Sequence, residues 1–206
     1  GKIGHIGASF HGLDALKKAV EEYSDKIETV MFPFNIVEDQ GLEVLKMAKD
    51  RGMGTIAMKP MAGGNLQDWA LALKYIFAGG VIDIAIPGMG SPEEKARNAA
   101  AAGDFGPLTP EELERCAAIR RELGTTFCRR CGYCAPCTVG IDIPSAFLFR
   151  NYYEHYEGLK DWAAQRYAAM AHKAGECVEC GLCEGRCPYE LPIREMLKGV
   201  KGVFGE

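Results

Sequence analysis

The first 115 residues of this chain contain no cysteine, and all nine cysteines fall within the last 91 of its 206 residues. No apolar stretch reaches the length of a membrane span; "VIDIAIPGMG" is interrupted by Asp83 and Pro87. Lysine and arginine do not accumulate in a basic run, and the formal net charge is -4 with a pI near 5.7. That balance excludes the electrostatic footprint of nucleic-acid binding. No charged-then-apolar leader opens the chain, so no export signal is expected and the expected location is cytoplasmic. The first residue is Gly1 rather than Met. No G-x-G-x-x-G follows the first strand-like run, which removes the dinucleotide fingerprint of an open Rossmann sheet.

The cysteine-free part has the pattern of an α/β domain. Strands are expected at Lys2–Ser9, Ile27–Phe34, Thr55–Pro60 and Val81–Gly88, rich in β-branched and aromatic residues. Between them lie helical periods. "GLDALKKAVEEYSD" places Leu13, Leu16, Ala19 and Val20 on one face, and "GLEVLKMAKDRG" turns Leu42, Leu45 and Ala48 inward before Gly52 stops it. "QDWALALKYIFAGG" is a third helix. Two more helices carry start signals: Ser91, Pro92 and Glu94, then Thr109, Pro110 and Glu112. Alternation of this kind argues for a parallel sheet with right-handed crossovers, either an open sheet or part of a barrel.

The rest of the chain is organised by two cysteine runs. "CRRCGYCAPC" holds Cys128, Cys131, Cys134 and Cys137 at three-residue intervals. "CVECGLCEGRCP" holds Cys177, Cys180, Cys183 and Cys187 followed by Pro188. Disulfides are disfavoured, because cysteines three apart in tight loops pair poorly and nothing indicates export. Zinc uses four ligands, commonly as two CxxC pairs, and gains nothing from a third cysteine two residues on. The second run is the ferredoxin ligand pattern for a [4Fe–4S] cubane. Three cysteines at i, i+3 and i+6 can reach three corners of such a cube if the backbone wraps it, and Gly132 and Gly181 let that backbone close in. A fourth cysteine so near in sequence cannot easily wrap to the far corner. By the ferredoxin pattern it serves the other cube. One cluster is therefore assigned Cys128, Cys131, Cys134 and Cys187, and the second Cys177, Cys180, Cys183 and Cys137.

About 40 residues separate the runs, and they read as helical. This resembles helical ferredoxin domains, such as those of fumarate reductase iron–sulfur subunits. Phe147, Phe149, Tyr152, Tyr153, Trp162 and Tyr167 are expected to cover the clusters and join helices. Cys116 shares helical spacing with Leu113, Ile119 and Leu123 and reads as a buried structural thiol. Arg129, Arg130 and Arg186 flank ligands. They would either tune the clusters and dock an acidic partner or form an exposed charged loop.

"GKIGHIGASFHG", "VMFPFN", "GTIAMKPMAGG" and "IAIPGMGSPEEKARN" resemble, in order and spacing, the second half of an aldo-keto reductase barrel. The resemblance covers residues 1–123 and implies strands five to eight of a (β/α)8 barrel that binds NADP(H) at the strand carboxyl ends. It implies Ser9 at the nicotinamide carboxamide and Lys59, Pro60, Met61 and Gly64 along the pyrophosphate and ribose. Gly88, Ser91 and Asn98 would then hold the adenosine end. Met31 stands where the family usually has Gln, and Phe10 where it has Asn. The family's catalytic Asp, Tyr, Lys and His lie on strands one to four, so no catalytic residue is assigned here and the chain is read as a fragment. The expected architecture is a half barrel over 1–123 followed by a helical ferredoxin-type domain over 124–206. Cysteine runs of this kind also occur fused to aldo-keto reductase-like proteins.

Three functions fit these readings. The first is an NADP-linked oxidoreductase that exchanges electrons with two [4Fe–4S] clusters. It would act on a small carbonyl or alcohol with a ferredoxin or flavoprotein as redox partner. The second is an electron-transfer module on a non-catalytic scaffold. The third is a structural role for redox-silent clusters.

Overall fold

The computed structural model describes residues 1–89, 91–101, 103, 106–124, 126–155 and 157–205. They form two units, Gly1–Thr125 and Thr126–Glu206.

The first unit alternates strand and helix: β1 (Gly7–Ser9), α1 (Leu13–Tyr23), β2 (Thr29–Pro33), α2 (Leu42–Asp50), β3 (Gly54–Met58), α3 (Trp69–Ala78), β4 (Ile84–Ala85), α4 (Pro92–Ala101) and α5 (Pro110–Leu123). The sheet is parallel throughout, in the order β1-β2-β3-β4. Sequential parallel neighbours joined by helices are what consecutive β/α units of a barrel produce. The fold is α/β, as the sequence indicates.

The central strands run nearly as expected, whereas the outer ones are much shorter. β1 keeps only its last three residues and β4 only two. Each outer strand has one neighbour, so its length is set by where that neighbour offers a ladder. Ile3 and Ile6 lie before the paired stretch and stay exposed. Beyond Ala85, Pro87 has no N–H to donate. Asp83 ties β4 to β3. Its carboxylate accepts from Thr55 N at 2.8 Å, Thr55 Oγ1 at 3.1 Å and Lys49 Nζ at 2.5 Å. Burial pushes its pKa up, but the hydrogen bonds from Lys49 and Thr55 outweigh that and hold it below the ordinary value.

The core lies between the sheet and its helices. Phe32, Val30, Leu16, Val20, Leu45 and Ala48 are fully buried there. Leu13 remains at the exposed start of α1, so the inward stripe is Leu16, Ala19 and Val20. In α2, Val44 joins Leu45 and Ala48, while Leu42 is only partly covered. On α5, Cys116 and Ile119 are buried but Leu113 is not. Each three-residue step falls about 60° short of a full helical turn, so a stripe at i, i+3 and i+6 drifts off the buried face. Thr109 and Glu112 form the expected reciprocal cap of α5. Arg120 then ties α5 to the loop after β2 and to α3, donating to Asp39 and Tyr75 Oη, each at 2.6 Å. Burial pushes the Tyr75 pKa up to about 12.

The second unit is helical: α6 (Ile143–His155), α7 (Lys160–Ala168), the single turn α8 (Leu182–Gly185) and α9 (Ile193–Phe204). Ile193, Leu197 and Val200 make the buried stripe of α9. Phe204 stacks on Tyr167 at 4.0 Å and meets Tyr153 edge-on at 5.3 Å, while Trp162 receives Phe149 and Tyr152. Most of the expected aromatics thus join helix to helix. Among the described residues, no helix is long and apolar enough to cross a membrane.

Candidate functional site

The two cysteine runs fold as one motif used twice. In the first run, Arg130 and Gly132 have φ of 55° and 82°; in the second, Glu179 and Gly181 have φ of 54° and 75°. Left-handed residues at matching places curl each loop so that its thiols turn to the same side. Arg130 N–H donates to Cys128 Sγ at 3.3 Å. After each run comes a third left-handed residue, Gly140 or Glu190, then a buried aliphatic, Ile141 or Leu191, then a helix starting at Ile143 or Ile193. This repeat was present in the sequence as an offset between the runs that grows by one residue at the last cysteine, and its signal is spread over different residue types.

The loops enclose two cavities. One is lined by Cys128, Cys131, Cys134 and Cys187, closed by Ile143, Phe147, Leu191 and Ile193, with about 320 Å³ of space between atoms, part of it open to solvent. The other is lined by Cys177, Cys180, Cys183 and Cys137, with Val139, Ile143 and Leu197, and has about 350 Å³. Each cavity takes three cysteines from one run and the last cysteine of the other. Of the aromatics expected to cover clusters, Phe147 lines one of these cavities.

The thiols are electrostatically frustrated as they stand. Burial pushes Cys134 up to about 11, helped by Cys128 and Cys131. Cys128 is also raised, by burial first and then by Cys131 and by Cys187 from the other run. Burial raises Cys183, with Cys177 adding to it. Such a set ionises together only beside positive charge, which iron supplies. Among the described residues, no three ligand-type side chains converge on a single ion.

Cys180 differs from the rest. It is the exposed one among the eight, and a hydrogen bond with Thr138 is the first cause lowering its pKa. Arg129 is 6 % exposed, stacks on the rings of Phe127 and Tyr189, and lines the first cavity. It is therefore no part of an exposed charged loop. Arg130 is exposed. Arg186 donates to Pro136 O at 2.9 Å and ties the two runs.

In the first unit the nicotinamide candidates sit around the carboxyl ends of the strands. Ser9 ends β1 opposite Met31 of β2, with Oγ 3.8 Å from its sulfur. Lys59, Pro60, Met61 and Gly64 follow β3; Lys59 is left-handed at φ 54°, and Pro60 and Met61 are buried. Gly88 is exposed after β4. Ser91 caps α4, its hydroxyl accepting from Glu94 N at 3.1 Å. Glu93 and Glu94 occupy the first turn and offset the helix dipole there. Asn98 is 5 % exposed, and both polar atoms of its amide are buried without a partner. A cavity beside α3 and α4, with about 1450 Å³ of space between atoms, part of it open to solvent, is lined by Trp69, Lys74, Arg97 and Glu112 among others and by none of these eight residues.

Sequence reading missed a polar cluster beside them. Asn35 and Glu38 are buried, with Asn35 Nδ2 donating to Glu38 Oε2 at 3.1 Å and to Lys59 O at 3.0 Å. Burial and Lys59 lower the pKa of His11, against an opposing pull from Glu38. The signal was two polar residues three apart inside "FNIVE", which reads as an ordinary turn.

Residues 1–70 match the model of the aldo/keto reductase family, and residues 127–192 match that of the 4Fe-4S dicluster domain. No curated protein matches the chain. Among solved structures, the aldo-keto reductase AKR11C1 from Bacillus halodurans aligns in its holo form at 19 % identity and a TM-score of 0.48, covering 56 % of this chain and 49 % of that one. Its apo form aligns at 19 % identity and a TM-score of 0.47, covering 56 % and 50 %. The match thus spans about half the length of that reductase. Residues 1–70 are thus similar to the aldo/keto reductase family, and residues 127–192 to the 4Fe-4S dicluster domain.

Proposed function

We propose that this chain is the cluster-bearing part of an iron–sulfur oxidoreductase, with two [4Fe–4S] clusters in crossed ligation. One is held by Cys128, Cys131, Cys134 and Cys187, the other by Cys177, Cys180, Cys183 and Cys137. The observation that carries this reading is the composition of the two cavities, each bounded by three cysteines of one run and one of the other. A bound cluster supplies one-electron transfer at a potential set by its surroundings. The chain's own residues do the rest. The left-handed loops aim the thiols, Ile143, Phe147, Leu191 and Ile193 keep water from the first site, and exposed Cys180 brings the second site to the surface. A ferredoxin or flavoprotein would exchange electrons at that surface, and a small carbonyl or alcohol would be the substrate of the reductase part. Anaerobically prepared chain should carry about eight iron and eight sulfide. Four of each, or zinc in their place, would contradict the reading.

The family of residues 1–70 adds a second element, NADP(H) bound at the strand carboxyl ends. The buried, unpartnered amide of Asn98 supports it, because leaving such a group unsatisfied costs roughly 1–3 kcal/mol and a ligand's polar edge relieves it. Ser91 is less suited to a phosphate than its position suggests, since its hydroxyl already caps α4. NADP(H) as a whole would therefore rest on Ser9, Lys59, Pro60, Met61, Gly64, Gly88 and Asn98 more than on Ser91. Fluorescence titration with NADPH is expected to show binding that Asn98→Ala weakens; equal binding by both forms would refute the role of Asn98.

A further inference from the structure

The two cluster sites share left-handed residues at matching places, yet one of their differences is the residue that follows the last cysteine of each run. The residue after the last cysteine of the first run is Thr138; its counterpart in the second run is Pro188. Thr138 Oγ1 lies 3.1 Å from Cys180 Sγ, across 42 residues of sequence. It also lines the cavity bounded by Cys177, Cys180, Cys183 and Cys137. Pro188 has neither a hydroxyl nor an N–H, so it can offer no such bond to the other site.

We infer that Thr138 is a positioning residue that raises the reduction potential of the surface-facing cluster by donating its O–H to Cys180 Sγ. The inference rests on the two-cluster reading. A cysteine sulfur bound to iron carries no proton, so the hydroxyl must be the donor. One-electron reduction adds negative charge to the cluster and its thiolates. A donor on a ligand sulfur stabilises that charge and favours the reduced form. Cys180 is the exposed member of its set, flanked by Val178 and Leu182, which are 59 % and 53 % exposed. The hydrogen bond therefore makes the cluster at the surface the better resting place for an electron arriving from the other. At this position the two sites offer different chemistry, Thr138 against Pro188.

The test is an EPR-monitored potentiometric titration, with dithionite as electron donor, of the full chain carrying T138V or T138S. T138V replaces an exposed hydroxyl by a methyl of equal size. One of the two midpoint potentials is expected to become more negative and the other to stay. The signal that moves is the one broadened by a water-soluble dysprosium complex. T138S, which keeps the hydroxyl, should retain the original potential. Unchanged potentials in T138V, an equal shift in T138S, or a shift confined to the cluster shielded from dysprosium would each overturn the inference. A wild-type chain with no reducible iron–sulfur signal would overturn the cluster reading beneath it.

Discussion

In the N-terminal unit the main buried cluster is apolar, with Leu16 and Val20 on α1, Val30 and Phe32 on β2, and Leu45 and Ala48 on α2, while the polar Asn35, Glu38, Thr55 and Asn98 are buried outside it. In the C-terminal unit the buried set contains Cys134 and Cys183 themselves, with Cys128, Cys137, Cys177 and Cys187 packed against it. The first unit's main cluster gains its stability from apolar surface removed from water, at roughly 25 cal/mol per Å². The second is short helices around two cavities walled by thiols that repel one another's charge. Its loops between Cys128 and Ile141 contain no regular secondary structure. Such a unit reaches full stability when the group that fits its cavities is present, because metal binding is then folding free energy.

The largest way to break this comparison is to remove iron. Anaerobic chelation should abolish hydrogen-exchange protection in α6 and α9 while β2 and β3 keep theirs, read residue by residue by mass spectrometry. Protection surviving in α9 without iron would place the second unit on the same footing as the first. A change of intermediate size runs the other way. Phe32→Ala should cost about 3–5 kcal/mol in denaturant unfolding of the N-terminal unit, since Phe32 is fully buried. The visible iron–sulfur absorbance should be unchanged in that variant. Bleaching of that absorbance by Phe32→Ala would mean that the clusters depend on the first unit's core.

What was legible in the sequence follows the same division. Local signals read true: the reciprocal cap at Thr109 and Glu112, the stop at Gly52, the cap at Ser91 and the helices between the cysteine runs. They depend on neighbours a few residues away. The outer strands were overread, because the length of β1 and β4 depends on pairing partners far along the chain. Leu113 was misplaced because a three-residue spacing was extended one step too far around the helix. The aromatics of the C-terminal unit were expected both to cover the clusters and to join helices; most do the second, since spacing gives a face and not the partner it meets. The paired cysteine runs were the most legible feature, and the stretch that holds them matches the 4Fe-4S dicluster domain. Thr138 was invisible in the sequence, because its role depends on a contact with Cys180.

Crossed ligation is the claim on which the rest turns, and EPR of the reduced Cys187→Ser, Cys128→Ser and Cys177→Ser variants tests it most directly. If the cavities are read correctly, Cys187→Ser and Cys128→Ser lose the same cluster signal and Cys177→Ser loses the other. If Cys187→Ser instead matches Cys177→Ser, each run ligates its own cube and the account is wrong.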